Sequence, residues 1–291
     1  MSHIIRPLLR ALAGTLLLAG TACAETAPIV LQGAAPGRWT MDLDAAVAKA
    51  SEKQLPILMN FTGSDWCGWC KLMQKQVFSQ KEWSDYATGH LLLVWIDSPK
   101  DPSLVPARFV QRNEELARKY EIRGPPTYII LDDDGKTVLG QLGATPNATA
   151  KSFIEEVERA CRYRPKAVEE FAKALSPAEA QAYRKLAGET LAARMKLQPL
   201  ADGDSPERRA AAESAASLED AVERWHIDAE AKALGPEKGP SYKKLRTARL
   251  TVEREFETWL ATRPLRTPEN AKVFKAYQDR LKALQAEIEK F

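Results

Sequence analysis

Residues 65–71 read Asp-Trp-Cys-Gly-Trp-Cys-Lys, so that Cys67 and Cys70 are separated by two residues directly after an apolar run. This spacing, at the junction of a predicted strand and a predicted helix, is typical of a dithiol–disulfide redox centre. Unpaired backbone N–H groups and the positive dipole end at a helix N-terminus favour the thiolate, the nucleophilic form. We therefore predict that Cys67 attacks, and that Cys70, on the same helical face, resolves the mixed disulfide.

Length and charge restrict the class of protein. The chain has 291 residues, of which 45% are hydrophobic and 28% charged, as expected for a globular protein with room for two domains. Lys and Arg total 42 against 39 Asp and Glu, and removal of a leader that carries Arg6 and Arg10 leaves 40 against 39. This near balance gives no support for nucleic-acid binding.

The first 24 residues have the pattern of a secretory signal peptide. Arg6 and Arg10 are followed by an apolar run over 11–22, and small residues flank a cleavage site before Glu25. The pattern predicts export, most simply to a periplasm. An alternative is that Cys23 becomes a lipidated first residue, the only route by which we expect membrane attachment.

Export sets the redox context of the remaining cysteines. Without the leader only Cys67, Cys70 and Cys161 remain, too few to cross-link a chain of this length, so the first two are predicted to be chemical. A zinc site would need about four ligands, and Cys161, His90 and His226 do not have ligand spacing. We predict no metal and no cofactor. Cys161 is expected to be a small buried residue, with an intermolecular disulfide as the alternative.

The chain after residue 24 divides into a lead-in and an alternating part. Residues 25–38 are rich in Ala, Pro and Gly and are predicted to be flexible. The predicted elements that follow are a helix capped by Thr40 or Asp42, a strand over 57–61, a helix over 67–78, helical structure over 82–86, a strand over 91–97, an inserted loop over 98–109, a short helix capped by Asn113, a hairpin of 128–131 and 137–142, and a helix over 147–161. This order predicts an α/β sheet with helices on both faces.

Residues 39–163 resemble a thioredoxin-fold domain, as found in exported thioredoxin-like proteins and in the C-terminal domain of thiol–disulfide interchange proteins. The resemblance rests on Trp66 with the two cysteines and Lys71, on Val77-Phe78, and on Gly-Pro-Pro-Thr at 124–127 before a strand and an Asp-Gly hairpin. It implies a disulfide oxidoreductase that acts on protein thiols or disulfides with a redox partner protein, and that forms a Cys67–Cys70 disulfide in its oxidised state.

The resemblance also implies supporting roles near the sulfurs. Pro126 would be a cis-proline that leaves neighbouring backbone free to pair with an extended substrate. The other residues expected at the site are Trp66, Gly68, Trp69, Lys71, Pro125 and Thr127.

Two departures from thioredoxin leave the direction of electron flow open. Trp69 replaces the proline between the cysteines, and Asn60 stands near a position where thioredoxin has a carboxylate that moves a proton. Asn60 cannot titrate, so water or another group such as Asp65 would have to serve.

Residues 164–291 are predicted to be an all-α domain. Helices are predicted over about 177–197, 206–234, 242–262 and 268–290, of which the last two carry apolar stripes, and chain breaks are expected at Gly235-Pro236 and Gly239-Pro240. This region could be a packing module, or a surface for dimerisation or partner docking. The alternative function for the whole chain is a non-catalytic binding protein whose disulfide is structural.

Overall fold

The structure is a computed structural model that describes residues 28–145, 147–197, 205–262, 264–265 and 267–291. The predicted signal peptide lies outside these residues. The described part of the chain contains no helix that combines the length and the apolar character needed to cross a membrane.

A five-stranded mixed sheet forms the centre of the first part of the chain. Its order is β1-β3-β2-β4-β5; β1 and β2 both run parallel to β3, β4 is antiparallel to β2, and β5 is antiparallel to β4. The strands are β1 (Trp39–Thr40), β2 (Ile57–Thr62), β3 (Leu92–Asp97), β4 (Thr127–Leu131) and β5 (Val138–Gly143). β2, β3 and β4 are buried along their whole length, which explains their nearly continuous apolar sequences.

Helices cover both faces of this sheet and confirm the predicted α/β class. One face packs against α1 (Leu43–Lys53) and α4 (Ala107–Lys119). The other packs against α2 (Gly68–Met73), the π-helix Gln74–Phe78 that continues it, α3 (Lys81–His90) and α5 (Ala150–Cys161). The second face contains an aromatic cluster in which Phe78 contacts Trp39, Trp83, Tyr128 and Phe153 with ring centroids 5.1 to 5.5 Å apart.

Asp42, one of the two predicted caps, caps α1 by accepting the N–H of Ala45, while Thr40 forms β1 with Trp39. Two local predictions differ from the structure. The helix predicted to follow an Asn113 cap begins at Ala107, so Asn113 lies inside it and the last residues of the predicted loop 98–109 are helical. Residues 29–38, within the predicted flexible lead-in, are bonded to the domain, with Val30 N–H on Trp39 O and Gly37 N–H on Leu91 O.

The remaining described chain is helical, as predicted. Its elements are α6 (Pro165–Ala172), α7 (Pro177–Leu197), α8 (Pro206–Ala233), α9 (Gly235–Ala261) and α10 (Pro268–Ile288). The break predicted at Gly239-Pro240 is absent, because α9 begins at Gly235 and contains Pro240. Gly239 allows close packing there: a Cβ at this position would lie 2.2 Å from the Ala231 carbonyl oxygen.

The helical region packs back onto the sheet domain through α5 and β5. Arg194 of α7 donates to the carbonyl of Leu139 on β5, and its guanidinium lies 4.1 Å from the centre of the Tyr163 ring. This contact occupies part of the exposed edge of the sheet, which otherwise offers unpaired backbone groups. The helical region therefore contacts the side of the domain formed by α5 and β5.

Candidate active site

The two cysteines lie where β2 leads into α2. Cys67 is the N-cap of α2 and Cys70 is its third residue, and the two form a disulfide with their Cα atoms 5.2 Å apart. The backbone N–H of Cys70 donates to Cys67 Sγ at 3.1 Å. A charged sulfur is a stronger acceptor than a neutral one, so this N–H would stabilise a thiolate held at the same position.

The sulfurs are covered, whereas the aromatic side chains beside them are open to solvent. Cys67 and Cys70 are 5% and 7% exposed, so burial does not distinguish an attacking from a resolving residue. Trp66 and Trp69 are 43% and 47% exposed, and Gly68 is also exposed. The cysteine pair is therefore flanked by two exposed apolar side chains.

The predicted proline loop lies against the cysteines. Cys67 Sγ is 3.6 Å from the carbonyl oxygen of Pro125, which is a close approach and not a hydrogen bond while the sulfur is in a disulfide and has no proton. The peptide bond between Pro125 and Pro126 is cis. Thr127 Oγ1 donates to the Gly124 carbonyl at 2.7 Å and closes the turn. The loop 124–127 and residues 67–70 thus form one site.

Lys71 and Asp65 tie the site to the loop after β3. Lys71 Nζ donates to the Asp65 carbonyl at 2.6 Å, while the Asp65 carboxylate accepts the backbone N–H groups of Lys100 and Asp101 at 2.9 to 3.0 Å. Desolvation raises the pKa of Asp65, but the N–H groups of Asp101 and Lys100 outweigh it and hold the pKa below its ordinary value. The carboxylate is thus engaged with the loop and ionised at neutral pH.

Two buried polar atoms lie beneath this site. Asn60 of β2 is opposite Tyr128 of β4 in the sheet register, and both side chains are buried. Within the described residues, Asn60 Oδ1 and the Tyr128 hydroxyl have no hydrogen-bond partner. Burial also raises the pKa of Tyr128, so its hydroxyl keeps its proton at neutral pH. The position that interrupts the apolar run of β2 is therefore polar and neutral, and its buried side-chain oxygen has no hydrogen-bond partner among the described residues.

The other side chains considered from the sequence lie on other elements of the fold. Cys161 is half-buried on α5, and burial raises the pKa of its thiol to about 12, which disfavours thiolate. His90 is exposed at the end of α3 and stacks on Tyr86 with ring centroids 4.5 Å apart. In the part of the chain that the structure describes, no group of three His, Cys, Asp or Glu side chains is arranged to hold a metal ion.

Sequence reasoning missed a second polar link behind the site. The backbone N–H of Ser64 donates to Asp97 Oδ1 at 2.9 Å, and Asn113 Nδ2 donates to the Asp97 carbonyl at 2.8 Å. The available signal was the position of Asp97 at the carboxyl end of β3, since β2 and β3 are parallel and their carboxyl ends meet at one edge of the sheet.

Comparison with known proteins gives a family model and relatives that match part of the chain. The family model of a thioredoxin-like domain matches residues 43–158. The disulfide bond reductase DsbH of Chlamydia pneumoniae is 34% identical over 119 residues, which are 41% of this chain and 70% of that protein. The thioredoxin-related protein DsbJ of the same organism is 29% identical over 115 residues, 40% of this chain and 32% of DsbJ.

A solved structure of a DsbH oxidoreductase aligns with 52% of this chain and 96% of its own, at 29% sequence identity and a TM-score of 0.41. The two cysteines on this mixed sheet, together with the 34% identity to a disulfide bond reductase, lead to one conclusion. The chain belongs to the thioredoxin-like family and is a disulfide oxidoreductase with an additional helical region.

Proposed function

We propose that this protein is exported and reduces or exchanges disulfides in protein substrates, with Cys67 as the nucleophile and Cys70 as the resolving residue. The observation that carries the proposal is the contact at 3.1 Å between the Cys70 N–H and Cys67 Sγ, at the start of α2. The Cys70 N–H stabilises a negative charge on Cys67 Sγ. The same contact gives no such donor to the sulfur of Cys70, which lies inside the helix. The helix dipole acts in the same direction.

The proposed reaction exchanges two electrons. In the dithiol form, Cys67 thiolate attacks one sulfur of the substrate disulfide, an enzyme–substrate S–S bond forms, and the other substrate sulfur leaves as a thiolate that takes up a proton. Cys70 then loses its proton and attacks Cys67 Sγ, which releases the second substrate sulfur. The substrate disulfide is reduced to two thiols, and the enzyme dithiol is oxidised to the Cys67–Cys70 disulfide.

The proline loop supports a restricted mode of backbone pairing with the substrate. Pro125 and Pro126 both lack a backbone N–H, so this part of the loop can only accept hydrogen bonds. The Pro125 carbonyl lies 3.6 Å from Cys67 Sγ and is placed to accept an N–H of a polypeptide bound at that sulfur. A substrate would therefore form one hydrogen bond at Pro125, to its carbonyl. A residue with a backbone N–H could form a reciprocal pair of hydrogen bonds.

Location and the helical region complete the proposal. The signal-like residues 1–24 support export, and the name of the relative DsbH, a disulfide bond reductase, supports electron donation to the substrate.

We assign 39–163 to the redox domain and 164–291 to a helical domain that packs on it and docks a partner or a second copy. Light scattering over a concentration series, on the full chain and on a chain ending at Arg164, tests the latter: dimers that require the helical region support it, and monomers in both cases contradict dimerisation.

The order of attack is tested by trapping. Cys70→Ser, incubated with a protein that contains a disulfide, is expected to accumulate a mixed disulfide that non-reducing electrophoresis and mass spectrometry locate at Cys67. Cys67→Ser should form no such adduct and should lose the ability to reduce insulin. An adduct at Cys70 in the Cys67→Ser chain, with insulin reduction unchanged, would overturn the assignment.

A further inference from the structure

The Asp65 carboxylate binds the loop between β3 and α4. Both carboxylate oxygens accept the Lys100 N–H at 3.0 Å, and one also accepts the Asp101 N–H at 2.9 Å. Asp101 in turn caps the short 3₁₀ turn Pro102–Leu104 by accepting the Ser103 N–H at 2.9 Å. One side chain next to Trp66 and Cys67 therefore holds the beginning of this loop.

The same loop fixes the exposed indole of Trp66. Trp66 Nε1 donates to the Ser98 carbonyl at 2.9 Å, and the Ser98 N–H donates to the Thr62 carbonyl at 2.9 Å. A Cβ at Gly63 would lie 2.4 Å from the Trp66 ring, so the ring rests directly on the Gly63 backbone. The indole is held from below by Gly63 and at its edge by Ser98, while its outer surface is open to solvent.

An exposed aromatic side chain held in one orientation binds a partner with little loss of conformational entropy. Trp66 is adjacent in sequence to the nucleophile, so a polypeptide whose cysteine reaches Cys67 must pass over or beside the indole. The residue flanking the substrate cysteine is then the one that meets the ring, and an apolar side chain there buries apolar surface on both partners. A small-molecule disulfide has no such flanking residue.

We propose that Asp65 is a positioning residue for protein substrates: it anchors the loop at Lys100 and Asp101, so that the Ser98 carbonyl holds Trp66 as an apolar platform for the residue flanking the substrate cysteine. This inference rests on the proposed function. It assigns to Asp65 a role in substrate specificity and no role in proton transfer to the cysteines.

The test compares three substrates on the full chain and on Asp65→Ala. They are a disulfide peptide with Phe beside the reacting cysteine, the matched peptide with Ser at that position, and hydroxyethyl disulfide. For the Phe peptide we expect kcat/KM to fall about fivefold to tenfold, through KM, as for the loss of roughly one hydrogen-bonded contact. The Ser peptide and hydroxyethyl disulfide should change less than about twofold, and the reduction potential should not move.

Two further variants make the result specific to the loop and the indole. Trp66→Phe keeps an aromatic ring but loses the N–H donor to Ser98, so it should show the same loss for the Phe peptide, and the double variant should lose no more than either single variant. Asp85→Ala removes an exposed carboxylate that pairs with Lys81 on α3 and is the matched control, expected to change nothing.

Equal losses for all three substrates would overturn the proposal and assign Asp65 to the chemistry or to the fold. An unchanged kcat/KM for the Phe peptide would also overturn it. If Asp65→Ala does not fold, as judged by circular dichroism, Trp66→Phe provides the same comparison. Failure of the proposed function itself is distinguishable, because the unmodified chain would then reduce none of the three substrates.

Discussion

At the scale of single residues, Asn60 is the clearest departure from a purely apolar strand. It lies opposite both Trp95 of β3 and Tyr128 of β4 in a strand that is buried throughout. Strand alternation places it on the same face as Leu58, which packs with Met73 and the other residues beneath α2. Because an amide does not titrate, this position keeps a polar atom under the active site without the cost of a buried charge.

Asn60→Asp is expected to destabilise the protein in a pH-dependent way. A buried carboxyl without a cationic partner has a raised pKa, so the folded chain holds its proton while the unfolded chain ionises above about pH 4. The loss relative to the unmodified chain should be small below about pH 4 and reach on the order of 2–4 kcal/mol at pH 7. Urea unfolding at both pH values measures it.

The exposed Asn147→Asp substitution is the control and should give no pH-dependent difference. An Asn60→Asp chain as stable as its parent at pH 7 would contradict the burial and the missing partner that the structure assigns to Asn60.

At the scale of elements, short sequence patterns correctly predicted the strands and the helix start that depend on neighbouring residues. The apolar runs at 57–61 and 91–97 predicted β2 and β3 correctly, and the spacing of Cys67 and Cys70 predicted the start of α2. Asn113 misled the prediction, because an isolated Asn favours a helix cap. In the fold its amide reaches the Asp97 carbonyl across the core, and that tertiary bond outweighs the local preference.

The candidate site likewise contains residues that a local pattern predicts and contacts that it does not. The cysteines and Trp66 could be predicted because their pattern is local. The approach of Pro125 to Cys67 joins residues 58 apart, and the bonds of Asp65 to Lys100 and Asp101 join residues 35 and 36 apart. Such contacts depend on the register of β2 against β3 and β4, which the residues of one strand do not determine.

The contact between α7 and α8 contains a histidine that stays neutral. His226 Nε2 lies 2.8 Å from the Tyr183 hydroxyl, and the His226 ring is 4.2 Å from that of Phe171. Burial, with a smaller effect from Arg162, lowers the pKa of His226 to about 3. The unfolded chain therefore takes up a proton near the ordinary pKa of histidine before the folded chain does.

His226→Phe should reduce the acid sensitivity of this packing. Since the folded pKa is depressed, the stabilising contribution is complete above the unfolded pKa and is lost as the pH falls. Between pH 7 and pH 5 the unmodified chain should lose up to about 2 kcal/mol from this group, and His226→Phe should lose that much less. Urea unfolding at the two pH values measures the difference, and equal pH dependence in both chains would contradict the assignment.

At the scale of the whole molecule, charged groups join the helical region to the redox domain. The buried Glu223 of α8 pairs with Arg162 beside α5, with Arg159 of α5 at 3.9 Å and with Arg246 of α9 at 2.8 Å. Burial raises the pKa of Glu223, but the three guanidinium groups outweigh it and hold the pKa below its ordinary value. Two further carboxylates share these arginines, since Glu253 pairs with Arg159 at 3.3 Å and Glu230 pairs with Arg246 at 2.9 Å, so removing Glu223 leaves part of the network in place.

The proposed boundary at 163/164 falls on a buried residue. Arg164 Nε donates to Asp132 at 2.6 Å, and its Nη2 donates to Asp133 at 3.2 Å and to the Gln54 carbonyl at 3.1 Å. These bonds hold the β4–β5 turn and the end of α1. A chain that contains only the redox domain should therefore retain Arg164.

Glu223→Gln is expected to loosen the helical region without altering the redox centre. Loss of one charge from this cluster, whose arginines keep Glu230 and Glu253 as partners, should cost about 1–3 kcal/mol in the free energy of unfolding. The reduction potential of the cysteine pair should change by less than about 30 mV, because the cluster lies on the α5 side of the domain. The exposed Glu237→Gln on α9 is the control, and an unfolding free energy equal to that of the parent would contradict the role of Glu223.

The reduction potential of the Cys67–Cys70 pair tests the central claim most directly. The full chain is equilibrated with thiol redox buffers and then alkylated. Mass spectrometry gives the fraction of dithiol at each buffer potential. A protein disulfide reductase should have a potential near that of thioredoxin, about −270 mV. A potential below about −300 mV, typical of structural disulfides, would contradict it.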